Sequence, residues 1–413
     1  MMARLAFRTA LQSAAVGSAI IGITHHASAQ EIRSLSPLQL PRPGYESHPL
    51  QLGPVSIQPE LVVTESYDDN VFATARSKED DFVTSVSPTV NLSAGRGKLD
   101  LSGRLSATVT EFADHEQEGS TTFAGNADAR YALDRASQVG ASISYARLTE
   151  SRADPESTRS QDESPATYET MSSSVSYAYR RNRLGVSIGA AAGQVDYASD
   201  DESDRDRYDY SGSVRGTLTI TPRFDAYVEA YAERRDFVDA VDRSGLDRDA
   251  VLAGFYLGTV IAIASKWSGE VGVGLFRTYN DDDALPDFTG IGTRGSLTWS
   301  ITPRTAVTAG FAREDIPTVT PGASGLIESR VTLRLDQEIR HNLIASAEVG
   351  YLRDDYQERD RQLSAVSGQV TAEYLINRNV SAVFSAGYTE RTADIAADEY
   401  DRFTTSVALR FKL

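Results

Sequence analysis

The 413-residue sequence contains no cysteine and only two tryptophans, three methionines and five histidines. Without cysteine, the chain can form neither disulfides nor thiolate metal sites. Such a chain is suited to crossing an oxidising periplasm unmodified. Basic residues are also outnumbered, with 41 Lys and Arg against 58 Asp and Glu, and the formal net charge is −17. This charge repels phosphate backbones, so we expect no nucleic-acid partner.

Long hydrophobic runs are scarce as well. The only candidate for a transmembrane helix after the N-terminal region is Ala250 to Ala264, which is shorter than the roughly 20 residues that a spanning helix requires. It also contains Gly254, Gly258 and several β-branched or aromatic residues, which favour a strand. We expect a strand that is apolar on both faces and is covered on its inner face by a loop.

The first 29 residues have the pattern of a cleaved signal peptide. Arg4 and Arg8 supply the positive region, an apolar stretch follows from Ala10 through Gly22, and Ala27-Ser28-Ala29 supplies small residues for cleavage before Gln30. A membrane anchor is the alternative, but polar residues interrupt the short apolar run. Cleavage removes two arginines and no acidic residue, so the charge of −17 becomes −19.

The next segment, Gln30 to Val55, contains five prolines and has no clear periodicity. This composition predicts an extended or disordered periplasmic lead-in. A plug for a pore is the alternative, although the segment is short and has few apolar anchors.

From about Ser56 to the C-terminus, segments of 10 to 15 residues alternate apolar and polar side chains, as strands with two different faces do. The last segment shows this most clearly. Phe403, Thr405, Val407, Leu409, Phe411 and Leu413 share one face, whereas Thr404, Ser406, Ala408, Arg410 and Lys412 share the other. An apolar face beside a charged face is expected when lipid lies outside and water inside.

The connections between these segments are of two alternating kinds. Tight turns such as Thr302-Pro303-Arg304 and Asn377-Arg378-Asn379 alternate with long acidic loops such as Ser151 to Tyr168 and Asp196 to Tyr208. Short turns at one end and long loops at the other are typical of outer-membrane barrels. The sequence therefore predicts an all-β fold, a closed antiparallel transmembrane barrel of residues 56–413 with about 18 strands, sixteen being the alternative.

The sheet must close into a barrel because its strands lie in lipid, and an unpaired backbone group costs several kcal/mol in hydrocarbon. The first strand, near Pro59 to Tyr67, must therefore pair with the last, Phe403 to Leu413. Aromatic residues near strand ends are candidates for interfacial girdles, with ordinary strand enrichment as the alternative. These are Tyr177, Tyr179, Tyr208, Tyr210, Trp299, Tyr351 and Tyr388.

Two stretches resemble a known family. The first hairpin, YDDNVFAT from Tyr67, DDFV from Asp80 and VSP from Val86, resembles the start of the outer-membrane β-barrel porins of the second type. The C-terminus resembles the signal that the barrel-assembly machinery reads, except that Leu413 replaces the usual phenylalanine. The resemblance implies a porin, an association with exopolysaccharide or capsule production, and polysaccharide-export components as partners.

Catalytic residues are hard to find in this sequence. A catalytic triad needs a histidine oriented by a carboxylate near a nucleophile. Only His115, between Asp114 and Glu116, lies in a surface loop of the predicted barrel, and nothing pairs it with a nucleophile. We therefore expect no enzyme and no cofactor.

Two acidic clusters, Asp200 to Asp206 and Asp281 to Asp283, offer oxygen ligands for Ca²⁺. Neither has the spacing of a dedicated calcium loop, so we expect solvated charged loops and no metal site. Weak divalent-ion bridging to lipopolysaccharide phosphates is a further hypothesis.

The inward positions of the predicted strands carry charges of both signs. They either pair across strands or select solutes. The predicted lumen-lining residues are Arg104, Arg130, Arg215, Glu229, Glu233, Glu328, Arg330, Arg334, Asp336 and Glu373.

Two functions remain open. The first is a passive channel or export conduit, linked through the family resemblance to exopolysaccharide secretion, with acidic loops that favour cations. The second is a surface barrel that does not transport and displays its loops for adhesion or envelope stability. Both place the protein in the outer membrane of a Gram-negative bacterium, in contact with lipid and lipopolysaccharide.

Overall fold

Alternating side chains and tight turns build one continuous sheet in the computed structural model, which describes residues 36–157, 159–263 and 266–413. Its strands are β1 (Leu50–Leu52), β2 (Val55–Asp68), β3 (Asp81–Arg96), β4 (Leu99–Phe112), β5 (Ser120–Ala132), β6 (Ser137–Thr149), β7 (Thr167–Arg181), β8 (Leu184–Tyr197), β9 (Arg207–Thr221), β10 (Phe224–Phe237), β11 (Ala250–Ile263), β12 (Trp267–Asn280), β13 (Phe288–Thr302), β14 (Thr305–Ile316), β15 (Gly325–Arg340), β16 (Leu343–Gln357), β17 (Gln362–Leu375), β18 (Val380–Ala393) and β19 (Tyr400–Lys412). Four short 3₁₀ helices, Pro37–Gln39, Glu116–Glu118, Asp200–Arg205 and Ala396–Asp398, lie outside the strands. No helix in the described ranges is long and apolar enough to span a membrane.

The sheet closes on itself. Each strand from β2 to β19 pairs antiparallel with its neighbours, and β19 pairs with β2 from Thr404–Asp68 to Lys412–Glu60. This confirms the predicted barrel of 18 strands and the pairing of its first and last strands. The short strand β1 is an addition that pairs only with the start of β2, outside the ring.

The two faces of each strand have different surroundings. On β19, Val407 is 56% exposed on the outer face, whereas the inward Arg410 is 2% exposed. Large apolar side chains recur on the outer face of the other strands, where lipid takes the place of water.

Aromatic residues mark both ends of this outer face. All seven candidates named above are exposed. Tyr177 and Tyr179 lie at the short-turn end of β7, and Tyr208 and Tyr210 lie at the long-loop end of β9. Trp299 stacks on Trp267 of the neighbouring strand, with ring centroids 5.2 Å apart. These positions fit two interfacial belts.

The candidate apolar segment forms strand β11, as predicted, up to Ile263. Its inward Leu252 is 2% exposed and packs with Ile327 of the loop-end part of β15, so a neighbouring hairpin covers its inner face. Ala264 and Ser265 lie outside the described residues, as do the predicted signal peptide and residues 30–35.

The described part of the lead-in does not extend freely into solvent but enters the short-turn end of the barrel. Ser36 donates a hydrogen bond to Asp336 on the inner face of β15 at 2.7 Å. Arg42 donates to the carbonyl oxygen of Pro37 and lies 3.8 Å from Glu338, also on β15. The ring of Tyr45 contacts His341 in the next turn. Acidic side chains at this end of the wall therefore anchor the segment.

Candidate functional site

The lumen is the only large shared space that the described strands enclose, and all ten predicted lumen residues lie at inward-facing registers. They do not form one cluster. Arg104 and Arg130 are exposed to the lumen on β4 and β5, whereas the other eight lie between β9 and β17 in ion pairs with neighbouring side chains. These pairs are Arg215–Glu229, Glu233–Arg235, Glu328–Arg330, Arg334–Asp336 and Glu373–Arg410.

The densest charge network lies on β9 to β13. Arg215 contacts Glu270 at 3.0 Å and Glu229 at 3.6 Å, and its guanidinium lies 3.6 Å above the ring of Tyr227. Arg294, which the sequence reasoning missed, donates two hydrogen bonds to Glu229 and covers Tyr256. The contacts of Arg215 with Glu270 and of Arg294 with Glu229 join strands that are not adjacent, so the network braces the inner wall.

Glycines make room for the aromatic rings of this network. A Cβ atom at Gly258 or Gly272 would come within 2.4 or 2.3 Å of Tyr227. Since any side chain at these inward positions would collide with the ring, glycine lets Tyr227 lie flat against the wall. Inward glycines on adjacent strands were a sequence signal for this packing that the alternation analysis did not use.

The opposite wall, β3 to β8, is lined mainly by small polar side chains. Hydroxyl groups pair across strands at Ser142–Ser174, 2.7 Å, and at Ser144–Ser172, 2.6 Å. Short side chains leave this half of the lumen less filled than the half with the aromatic rings.

The outer mouth is covered by its own loops. Glu156, in the loop between β6 and β7, accepts hydrogen bonds from Thr318 and Thr320, in the loop between β14 and β15. These loops start eight strands apart on a ring of eighteen, nearly opposite each other. An 18-stranded barrel is roughly 35 Å wide, from the strand spacing and tilt, so one or both loops must cross the mouth to meet.

Further contacts tie the remaining loops to this crossing. Arg361 donates to the carbonyl oxygen of Pro155 at 2.9 Å and pairs with Asp398 at 2.8 Å. Arg248 pairs with Asp242 and donates to the carbonyl oxygen of Ala323 at 2.6 Å. We call these interlocked loops, residues 150–157, 159–166, 238–249, 317–324, 358–361 and 394–399, the lid.

A buried acid lies within the lid. Burial and the nearby Glu150 raise the pKa of Asp154 to about 8, against the opposing charge of Arg205. The carboxyl group is therefore mainly protonated at neutral pH, and it becomes charged in the buried position only under alkaline conditions.

His115, the candidate catalytic histidine, connects two loops through hydrogen bonds. Its Nδ1 lies 2.9 Å from Asp81 and its Nε2 lies 2.7 Å from Glu79, so it joins the loop after β2 to the loop after β4. Hydrogen bonding to Glu79, together with Asp81, raises the pKa of His115. Both ring nitrogens are engaged by carboxylates, which leaves neither free to activate a nucleophile.

The first acidic cluster differs from the expected solvated loop. Glu202 is fully buried between Arg205 at 3.4 Å and Arg159 at 3.5 Å, and Asp204 pairs with Arg243 at 3.0 Å. The prediction was wrong here because Arg159 and Arg243, which are distant in sequence, and Arg205 within the cluster neutralise these acids. In the described ranges, no group of three or more His, Asp or Glu side chains is arranged to hold a metal ion.

The fold and the lumen agree with a comparison to known families. The family model described as "Putative beta-barrel porin 2" matches residues 42–413, which comprise the entire barrel and part of the lead-in. The chain belongs to this family. Membership indicates a porin-like channel fold of the outer membrane, and the apolar outer face with its aromatic belts is consistent with that location.

The chain is similar to solved structures of several Pseudomonas aeruginosa proteins. OpdL has 14% identity and a TM-score of 0.46, covering 88% of this chain and 99% of its own. OpdK, solved with vanillate, has 10% identity and a TM-score of 0.46, with 86% and 99% coverage. OccK5 has 11% identity and a TM-score of 0.46, with 90% and 99% coverage. These identities are too low to transfer a solute. No curated protein matches the sequence significantly.

Proposed function

We propose that the protein is an outer-membrane channel for polar solutes whose outer mouth is closed by the lid. The observation that carries this proposal is the contrast between a polar lumen and the crossing of Glu156 with Thr318 and Thr320 above it. A barrel of this size leaves an aqueous path unless loops fill it. Here the crossing loops cover that path at one end.

The lumen supports passage of polar solutes more than tight binding. Most of its charged groups are already paired, as Arg294 with Glu229 and Arg410 with Glu373. Paired charges keep the wall hydrated but present little net charge to a solute. We therefore infer that selectivity arises mainly at the acidic mouth and from pore size.

The test is the conductance of the refolded protein in a planar bilayer. The full chain should conduct rarely, and a variant with residues 152–165 replaced by a short glycine linker should conduct more often, because the crossing loop is gone and Thr318 and Thr320 lose their contact with Glu156. Replacement of a similar length of the lead-in, residues 36–49, serves as a control at the other end. A folded barrel that stays silent in all three forms would contradict the channel proposal.

Export of a polysaccharide is the finer proposal, and it rests on the family resemblance. Under this proposal, the signal peptide is cleaved and the barrel-assembly machinery inserts the chain into a Gram-negative outer membrane beside lipopolysaccharide. Polysaccharide-export components are its partners. Deleting the gene should then reduce surface polysaccharide. Unchanged polysaccharide together with a conducting barrel would limit the function to diffusion.

A display barrel is the second candidate, and the ordered lid favours it. Its ion pairs, including Arg361–Asp398, hold the loops in one arrangement, as a recognition surface would require. Loss of surface adhesion after replacement of residues 152–165, without any change in permeability, would support display over transport.

A further inference from the structure

Strands β13 and β14 separate before they reach the outer mouth. Their cross-strand pairs run from Thr302–Thr305 to Thr293–Arg313. Beyond this point β13 continues from Phe288 to Gly292 and still pairs with β12, while β14 continues to Ile316 and pairs with β15. Among the described residues, this seam between β13 and β14 is longer than the separation of β5 and β6, whose pairing stops at Phe123–Arg147.

The hairpin beyond the seam, residues 314–328, turns into the lumen. Asp315 accepts hydrogen bonds from Arg235 on β10 at 2.8 Å and from Thr278 on β12 at 2.9 Å. Ile327 packs with Leu252 and Phe276 on the inner wall. By their register, Asp315 and Ile327 would point outward if the hairpin continued the wall. Here the same side chains instead cover the inner face of β10 to β12.

The unpaired backbone at the seam is tolerated because of the depth at which the seam lies in the membrane. Arg313 and Arg277 point outward beside it, and Arg277 pairs with Asp287 at 3.1 Å. Arginines on the outer face mark the headgroup and water level, not the hydrocarbon, where an open edge would be prohibitive. Free N–H and C=O groups on this edge of β13 can bind water.

The existing register defines a second position for the hairpin. Continuing the pairing beyond Thr293–Arg313 would place Glu314 opposite Gly292, Asp315 opposite Ile291 and Ile316 opposite Gly290. That pairing would use the free edge of β13 and move Asp315 from a buried site to the outer rim. It would also withdraw from the lumen the segment that meets Glu156 through Thr318 and Thr320.

The position seen here has identifiable costs. The Oδ1 atom of Asp315 is buried without a hydrogen-bond partner, and the neighbouring edge of β13 lacks cross-strand bonds. The ion pair of Asp315 with Arg235 and the burial of Ile327 stabilise the same position. An element that moves between two positions requires opposing terms such as these.

We propose that the hairpin 314–328 is a hinged gate, which closes the lumen by leaving the wall and opens it by pairing with Gly290, Ile291 and Gly292. This proposal rests on the channel function proposed above. The moving unit includes the end of β16, because Leu326 stays paired with Tyr356 in that strand.

The absence of cysteine in the chain allows a direct test with two disulfides that share one substitution. Asp315→Cys with Thr278→Cys joins residues that touch in the inserted position. Asp315→Cys with Ile291→Cys joins residues that face each other only in the wall-paired position. Asp315→Cys alone is the matched control, and heat-dependent gel migration verifies that each barrel is folded.

Both pairs should form disulfides on oxidation, which a gel shift or mass spectrometry detects without reference to conductance. The Thr278 pair should abolish conductance until a reductant is added, and the Ile291 pair should hold the channel open. Failure of the Ile291 pair to oxidise, while the Thr278 pair oxidises fully, would overturn the gate. If both pairs oxidise and neither changes conductance, while the variant lacking residues 152–165 is also silent, the hairpin moves but the channel function is wrong.

Discussion

Removing Arg410 should weaken the closure of the barrel. Its side chain is 2% exposed and reaches Glu60 on β2 at 3.2 Å and Glu373 on β17 at 2.6 Å, so it links the last strand to both sides of the junction. Arg410→Ala leaves Glu60 and Glu373 without their direct ion-pair partner in the inner wall, where Lys412, opposite Glu60, is the nearby cation that remains. Breaking a buried ion pair from one side costs about 3–5 kcal/mol, and we expect the free energy of unfolding to fall by this amount.

Urea unfolding of the refolded barrel in detergent, followed by tryptophan fluorescence, measures this loss. Arg104→Ala is the matched control, because Arg104 is exposed to the lumen and its hydrogen bond to Asn91 is long, at 3.5 Å. A surface-like change of this kind should alter stability by no more than about 0.5 kcal/mol. Equal unfolding curves for the two variants would refute the role of Arg410 in closure.

Three further predictions concern the mouth. The open channel should favour K⁺ over Cl⁻ in a salt gradient, because the outer loops are acidic; equal permeability would contradict this. Asp154 holds a proton in the closed lid up to a pH of about 8, whereas an exposed carboxyl titrates near 3.8. Lid stability should therefore fall as pH rises through this range, so that conductance increases, and Asp154→Asn should remove the dependence. His115 has a raised pKa, so its stabilising contacts should persist at low pH and disappear as pH rises through that value. The rate of trypsin cleavage at Lys78, divided by the rate in His115→Gln, should then be higher at alkaline than at acidic pH. An identical ratio at both pH values would exclude this role.

Much of the wall could be predicted because a strand has a period of two. The positions of Val407 and Arg410 on opposite faces follow from their spacing alone, as do the inward registers of all ten predicted lumen residues. Tight turns then indicated about 18 strands, with sixteen as the alternative, and the need for closure predicted the pairing of β19 with β2.

The partners of the inward residues could not be predicted in the same way. Alternation gives the face of a residue but neither its depth nor its neighbours across the lumen. Arg294 meets Glu229 three strands away, and Arg235 meets Asp315 only because a hairpin leaves the wall.

The lid lacks any periodic signal. Arg391 donates a hydrogen bond to the carbonyl oxygen of Ala153, 238 residues earlier in the sequence, and such contacts depend on where loops converge in space. For the same reason the sequence did not predict the burial of Glu202 among arginines, or the entry of the lead-in at Ser36 and Arg42.

The most direct test of a water-filled lumen closed by the lid is labelling of a cysteine placed below it. Asn126→Cys lies at an exposed inward position on β5, and Ala240→Cys in an exposed outer loop is the positive control. A membrane-impermeant maleimide added to intact cells should label the Ala240 variant always, and the Asn126 variant only when residues 152–165 are also replaced. Labelling of the Asn126 variant at the same rate with the lid intact would contradict a closed mouth, and no labelling in either form would contradict an aqueous path.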